Sequence, residues 1–195
     1  MNREQKSPVI FTGENPGLTL YAPGGDKVAV AASYWRCTFS AHGEGNALIF
    51  CVDTPELGTW QAIYADNAAL GRFVTDTLTQ HFGDFKERGL PSVAVRQGRF
   101  SQELAPNSHR VVCQAEGRAI ELVWREVRDR QLLQVADMVL GTNHFDLSTV
   151  ICPCGGATIT LDGTPIPGDV RESTDANGKP GSSAFLAFAE AWVQR

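Results

Sequence analysis

No apolar run in the 195-residue chain approaches the ~18 residues of a membrane-crossing helix, so no helical span is expected. Residues Met1 to Pro8 are polar and lack the apolar stretch of a secretory leader, which makes the cytoplasm the expected location. An excess of basic charge is missing too. With 17 Lys and Arg against 22 Asp and Glu, the formal charge is -5, which argues against a general partner for nucleic acid or anionic membrane surfaces. Neither G-x-G-x-x-G nor G-x-x-x-x-G-K-[ST] occurs, so no backbone cradle for phosphates is legible, and no serine sits in G-x-S-x-G. No internal repeat or low-complexity tract is present.

Cysteine is sparse and poorly spaced for metal. The five residues Cys37, Cys51, Cys113, Cys152 and Cys154 leave an odd one in any complete pairing. Cys152-Pro153-Cys154-Gly155-Gly156 has C-x-C rather than C-x-x-C spacing, and no second close pair of Cys or His completes a zinc set. Its functional reading is a thiolate pair; its structural reading, adopted here, is a strand end followed by a Pro-Gly turn. No metal and no cofactor is expected.

What the chain does have is turns. Pro23-Gly24-Gly25-Asp26, Gly43-Glu44-Gly45, Glu116-Gly117, Asp162-Gly163 and Asn177-Gly178 punctuate short apolar runs. Each supplies residues that tolerate positive φ or close a hairpin. Leu18 to Ala22 and Lys27 to Ala32 flank the first turn. Tyr34 to Ala41 and Asn46 to Asp53 flank the second, and a three-residue loop centred on Glu44 would set Cys37 opposite Cys51, on a face shared with Trp35, Phe39, Ala47 and Ile49. A disulfide there competes with free thiols packed in a core, and a reducing compartment favours the thiols.

Residues 60–65 read as a further strand. Asp66 or Asn67 then caps the only clear helix, near 67–82, where Leu70, Phe73, Val74, Leu78 and Phe82 recur at helical spacing. Beyond Gly89 and Pro91 the period returns to two. Val93 to Arg96 and Arg99 to Leu104 form one long or broken strand. Val111, Cys113 and Ala115 turn at Glu116-Gly117 onto Ile120, Leu122 and Trp124. Leu132 to Leu140 is apolar on both faces, as a central strand is. Residues 147–152 and 157–161 follow as two strands. Residues 183–193 suit helix or strand, with the strand, returning against 169–173, preferred.

Together these describe a mainly β protein: an antiparallel β-sandwich or partly closed β-barrel of about ten strands with one amphipathic helix. It is read as one β-rich domain over 1–195, with 1–17 a loosely ordered lead-in in which only Val9-Ile10-Phe11 can act as a short strand. Gly58-Thr59-Trp60 resembles the G-x-W of the first lipocalin strand, but two hairpins precede it and a helix follows, so no family is assigned.

Three groups of residues carry candidate chemistry. His144 and Asp146 lie two apart, on one face of an extended segment, where a carboxylate would orient the imidazole for acid/base work; a solvent loop is the plainer reading. Asp137 sits within the apolar 132–140 run, where a buried carboxylate must be paired or protonated; pairing with Arg125, Arg128 or Arg130 is the structural alternative. Trp35, Trp60, Trp124 and Trp192 are core or the walls of a ligand pocket. The leading functional expectation is non-catalytic binding of a small apolar or mixed-polarity ligand. The alternatives are a cofactor-independent enzyme using His144 with Asp146 or Asp137, and a module that meets a protein partner or assembles as a homo-oligomer.

Overall fold

The computed structural model describes residues 9–195; residues 1–8 of the expected lead-in lie outside the described residues. The chain opens with β1 (Val9–Glu14), β2 (Gly17–Tyr21), β3 (Val28–Ser40), β4 (Gly45–Thr54) and β5 (Gly58–Ala65). A helix, α1 (Ala68–Thr77), and three single 3-10 turns at Thr79–His81, Gly83–Phe85 and Leu90–Ser92 come next. The remainder is β6 (Val95–Gln97), β7 (Arg99–Ala105), β8 (Ser108–Ala115), β9 (Arg118–Val127), β10 (Gln131–Leu140), β11 (Asn143–Leu161), β12 (Thr164–Pro165), β13 (Glu172–Thr174), β14 (Pro180–Ser182) and β15 (Ala184–Gln194). Among the described residues no helix is long and apolar enough to cross a membrane.

Thirteen strands form one sheet in the order β6-β5-β4-β3-β1-β15-β11-β9-β8-β7, with β2 against β3 and β15, and β10 and β12 against β11. Only β5 and β6 run parallel; the other ladders of this sheet are antiparallel. The two ends of that order, β6 and β7, are consecutive in the chain and joined by Gly98 alone. The sheet therefore curls until its first and last strands meet, as a partly closed barrel does. Gly98 suits this junction: its N–H donates to Ala65 O at 2.9 Å. A Cβ there would lie 3.1 Å from Tyr64 Cβ and 3.3 Å from Cys113 Sγ.

Alternation on β3 to β5 feeds two cores. Tyr34, Leu48, Phe50, Ala62 and Tyr64 meet Val111, Leu122, Trp124 and Ile159 inside the curl. Trp35, Ala47, Ile49, Ile63 and Ala65 point the other way, onto Leu70 and Val74 of α1 and onto Leu90, Phe145 and Trp192. These strands are apolar on both faces because both faces are covered. Asn67 caps α1 by accepting from Leu70 N at 3.2 Å. The helix stops at Thr77, short of the expected 82, and the chain continues as 3-10 turns. Thr79 in the first of these accepts a hydrogen bond from Trp35 Nε1 at 2.9 Å, which ties the turn to the sheet.

Several local expectations are met. Val111 pairs with Leu122 and Cys113 with Ile120, while the partners of Ala115 and Trp124 are Arg118 and His109. Residues 184–194 are a strand, although its neighbours are β1, β11 and β2 rather than 169–173.

Others are corrected. Residues 9–14 are not a loose lead-in but a strand between β3 and β15, with Phe11 wholly buried. The second hairpin pairs Cys37 with Gly45 and Ala31 with Cys51, so the two cysteines share a face without meeting, and all five thiols are free. Its loop is long because residues from the next corner hold it: Asn67 Nδ2 donates to His42 O and Glu44 O, and Asp66 Oδ1 accepts from Asn46 N. Phe39 is exposed rather than on the apolar face. Residues 132–140 form an edge strand: β10 pairs with β11 alone, leaving Leu132, Leu133 and Val139 exposed. Cys152-Pro153-Cys154 does not end a strand. β11 runs 19 residues straight through it. Pairing with β10 and β15 stops by Pro153, and pairing with β9 starts at Cys154. Proline is tolerated where a strand exchanges neighbours, since no ladder is broken there.

Candidate functional site

Where β2, β3, β11 and β15 face the 3-10 turns at 82–85 and the edge strand β10, side chains leave a half-open cavity of about 310 Å³. Its walls are mostly apolar: Leu18, Phe82, Phe85, Leu133, Met138, Leu147, Ile151, Phe185 and Trp192. Polar groups enter from Asn15, Thr19, Ser33, Asp84, Thr149 and Glu190. An apolar hollow with a few convergent polar groups, at the lower end of the usual ~300–1,000 Å³ range, is the ordinary form of a small-molecule site.

Glu190 is its most unusual member. It lies on β15 between β1 and β11, and only 4% of its surface is exposed. A bulge aims it. Phe188 pairs with Val150 and Ala191 with Ser148, so Ala189 and Glu190 together oppose Thr149 alone. Ala189 has a φ of 49°, a left-handed conformation that alanine adopts at a cost. Trp192 Nε1 donates to Glu190 Oε1 at 2.5 Å. Burial pushes the Glu190 carboxyl up to about 7, against the downward pull of hydrogen bonds from Trp192 and Thr149. Among the described residues no basic side chain lines the cavity.

The other polar groups are braced by one another. Asn15 Nδ2 donates to Ser33 Oγ and to Tyr34 O, both at 3.0 Å. Thr19 Oγ1 donates to Asp84 Oδ2 at 2.5 Å, joining β2 to the 3-10 segment. Thr149 Oγ1 donates to Phe188 O at 3.3 Å. Among the described residues no cluster of His, Cys, Asp and Glu is arranged to hold a metal ion.

The acid/base residues read from the sequence do converge, but elsewhere. His144 Nδ1 lies 2.7 Å from Asp137 Oδ1, and Asp146 Oδ1 accepts from Asp137 N at 3.0 Å. Arg195 Nε donates to the same Asp146 oxygen at 2.6 Å, and this bond holds the Asp146 carboxyl below its ordinary range. The side chains of His144 and Asp137 are half exposed, on the outer ridge of the β10–β11 hairpin. Asp137 occupies a bulge with φ 53°, facing solvent with His144 as its partner rather than an arginine. Of the tryptophans, only Trp192 lines the cavity. Trp124 is inside the curl, donating to Gly17 O at 2.9 Å, and Trp35 is under α1. Trp60 is half-buried beneath the Arg118 guanidinium, 5.7 Å from its ring centre.

Glu190, Asn15, Ser33, Asp84 and Thr149 were not singled out from the sequence. For Glu190 a signal existed: it is the lone carboxylate in the apolar run Ala184 to Val193. The reasoning applied to Asp137, that a carboxylate in a central apolar strand must be paired or protonated, holds for Glu190 instead, because β15 is central and β10 is an edge.

No protein-family model and no curated protein matches the chain. A solved acetoacetate decarboxylase from Legionella pneumophila is similar in backbone at a TM-score of 0.48, with 8% identity over 95% of this chain and 84% of that one.

Proposed function

We propose that this protein binds a small molecule of mixed polarity, without converting it, in the cavity between β15, β10 and the 82–85 turns. The observation that carries the reading is the buried carboxyl of Glu190 on the wall of a mostly apolar hollow. A core position filled for stability alone would favour an apolar residue, since a buried unpaired charge is costly. The strained bulge at Ala189 supports the same reading, because such strain collects where a side chain must be held in place for a task.

Native mass spectrometry of protein purified from its source cells tests it. The wild-type chain should carry a small organic compound that is released on denaturation. Leu133→Trp, which adds bulk at the partly exposed mouth, should abolish retention without unfolding the protein. Equal retention by both proteins would move the site elsewhere, and an empty wild-type protein would remove the basis of the proposal.

A second reading, cofactor-independent proton transfer, rests on the same residue. A carboxyl that titrates near neutrality suits a general acid or base, and Glu190 faces a half-open cavity that the His144–Asp137–Asp146 ridge lacks. Its test is deuterium uptake into the released compound from D2O. Uptake catalysed by wild type but not by Glu190→Gln supports catalysis; no uptake leaves binding alone.

A further inference from the structure

We propose that the occupant of this cavity is a small primary ammonium compound with an apolar, ring-sized body. The inference rests on the reading of the cavity as a ligand site and names the ligand's chemistry.

Three features point the same way. The first is charge: among the described residues the lining holds two carboxylates, Asp84 and Glu190, and no Lys, Arg or His. An anionic ligand would meet like charge in a poorly solvated space, whereas a cation would supply what the site lacks. The second is hydrogen-bond balance. Asn15 commits its N–H donors to Ser33 and Tyr34, Thr19 donates to Asp84, Thr149 shares its one O–H between Phe188 O and Glu190, and Trp192 donates to Glu190. What the lining still offers is one hydroxyl donor, on Ser33, against a larger set of acceptors: the Asn15 carbonyl and the carboxylates of Glu190 and Asp84. A primary ammonium brings three donors and no acceptor, the complement of that set. The third is the wall. Phe82, Phe85, Phe185 and Trp192 present aromatic surface, which accommodates an apolar body and attracts a cation to its ring faces.

The buried state of Glu190 fits this assignment. Its hydrogen-bond partners are neutral donors, so the ionised carboxylate is left with no cation beside it in the free protein. A bound ammonium completes a hydrogen-bonded ion pair there, and removal of either partner leaves the other charge exposed to an unfavourable site.

Probes with one skeleton and different charge test the proposal. Phenethylamine, 2-phenylethanol and phenylacetate are titrated by calorimetry into the full chain at about pH 8, where the amine is protonated and the acid ionised. Phenethylamine should bind at least about tenfold tighter than the alcohol, the difference expected of one hydrogen bond to a charged group, and phenylacetate should bind more weakly than either. Glu190→Gln should bring the amine to the level of the alcohol, with a far-ultraviolet circular-dichroism spectrum matching wild type as the separate control that the variant keeps its fold. If the alcohol or phenylacetate matches the amine, or if Glu190→Gln keeps the amine preference, the ammonium assignment fails and the cavity reading stands. If no probe binds, or if Leu133→Trp leaves all binding intact, both fail together.

Discussion

Replacing Glu190 by glutamine should make the protein more stable in alkaline solution and leave it almost unchanged in acid. The carboxyl titrates at about 7 in the folded chain against its usual 4.5. Between those values the folded state holds a proton that the unfolded state has released. Stability therefore falls as pH rises from 4.5 to 7, and the loss is complete above the folded value. A displacement of this size corresponds to about 3 kcal/mol at pH 8, since each unit is worth ~1.36 kcal/mol. The side chain is buried, so solvent screening does not reduce the figure. Glutamine keeps the shape and cannot ionise. The Glu190→Gln protein should thus exceed wild type by about 3 kcal/mol at pH 8 and by well under 1 kcal/mol at pH 4. In a chain of this length that is roughly 6–12 °C in melting temperature at the alkaline end. Urea unfolding at several pH values, read as the difference between the two proteins, isolates this group from others that titrate in the same range. Parallel pH profiles for the two proteins would refute the reasoning, because the carboxyl would then ionise alike in the folded and unfolded chains.

Three further outcomes follow from the same structure. His109 is 1% exposed against Trp124 and Phe188, neither ring nitrogen has a partner, and burial lowers its titration to about 4. Folding therefore weakens as pH falls below the usual 6.5, by about 2 kcal/mol at pH 5, and His109→Phe should remove that loss in urea titrations; an unchanged acid limb would contradict it. Asn67→Ala removes the α1 cap and the clamp on His42 O and Glu44 O, and should cost about 1–2 kcal/mol with faster amide exchange in residues 42–45; exchange unaltered there would deny the clamp. The five buried thiols, with Cys51 and Cys154 pushed up to about 11 and Cys113 to about 12 by burial, should resist iodoacetamide at pH 8 until the protein unfolds; one fast-reacting thiol in the native chain would show an accessible thiolate.

Several hairpins were legible because their signals are local. Glu116-Gly117 fixes the β8–β9 register within a few residues, and Asp162-Gly163 does the same for its hairpin, whereas Asn177-Gly178 turns Glu172–Thr174 onto Pro180–Ser182 rather than onto 183–193. The β3–β4 register was not, since the side chains that set its loop, Asp66 and Asn67, come some twenty residues later. Cys152-Pro153-Cys154 misled for a related reason: whether proline breaks a ladder depends on which neighbours the strand has there, and those are β9, β10 and β15. The candidate site was the least legible part. Residues 132–140, read as a central strand, and 183–193, read as helix or strand, are both apolar runs with a single carboxylate, and only the sheet order distinguishes an edge with a solvent-facing Asp137 from a centre with a buried Glu190. The bulge at Ala189 that aims Glu190 has no local turn signal, because it is imposed by the register against β11.

The most direct measurement is a crystal structure of the full chain grown with saturating phenethylamine. The account predicts the ammonium within hydrogen-bond distance of Glu190, at about 2.7–2.9 Å, with the ring among Phe82, Phe85 and Phe185. An amine bound outside this cavity, or seated within it with its charge turned away from Glu190, would contradict it.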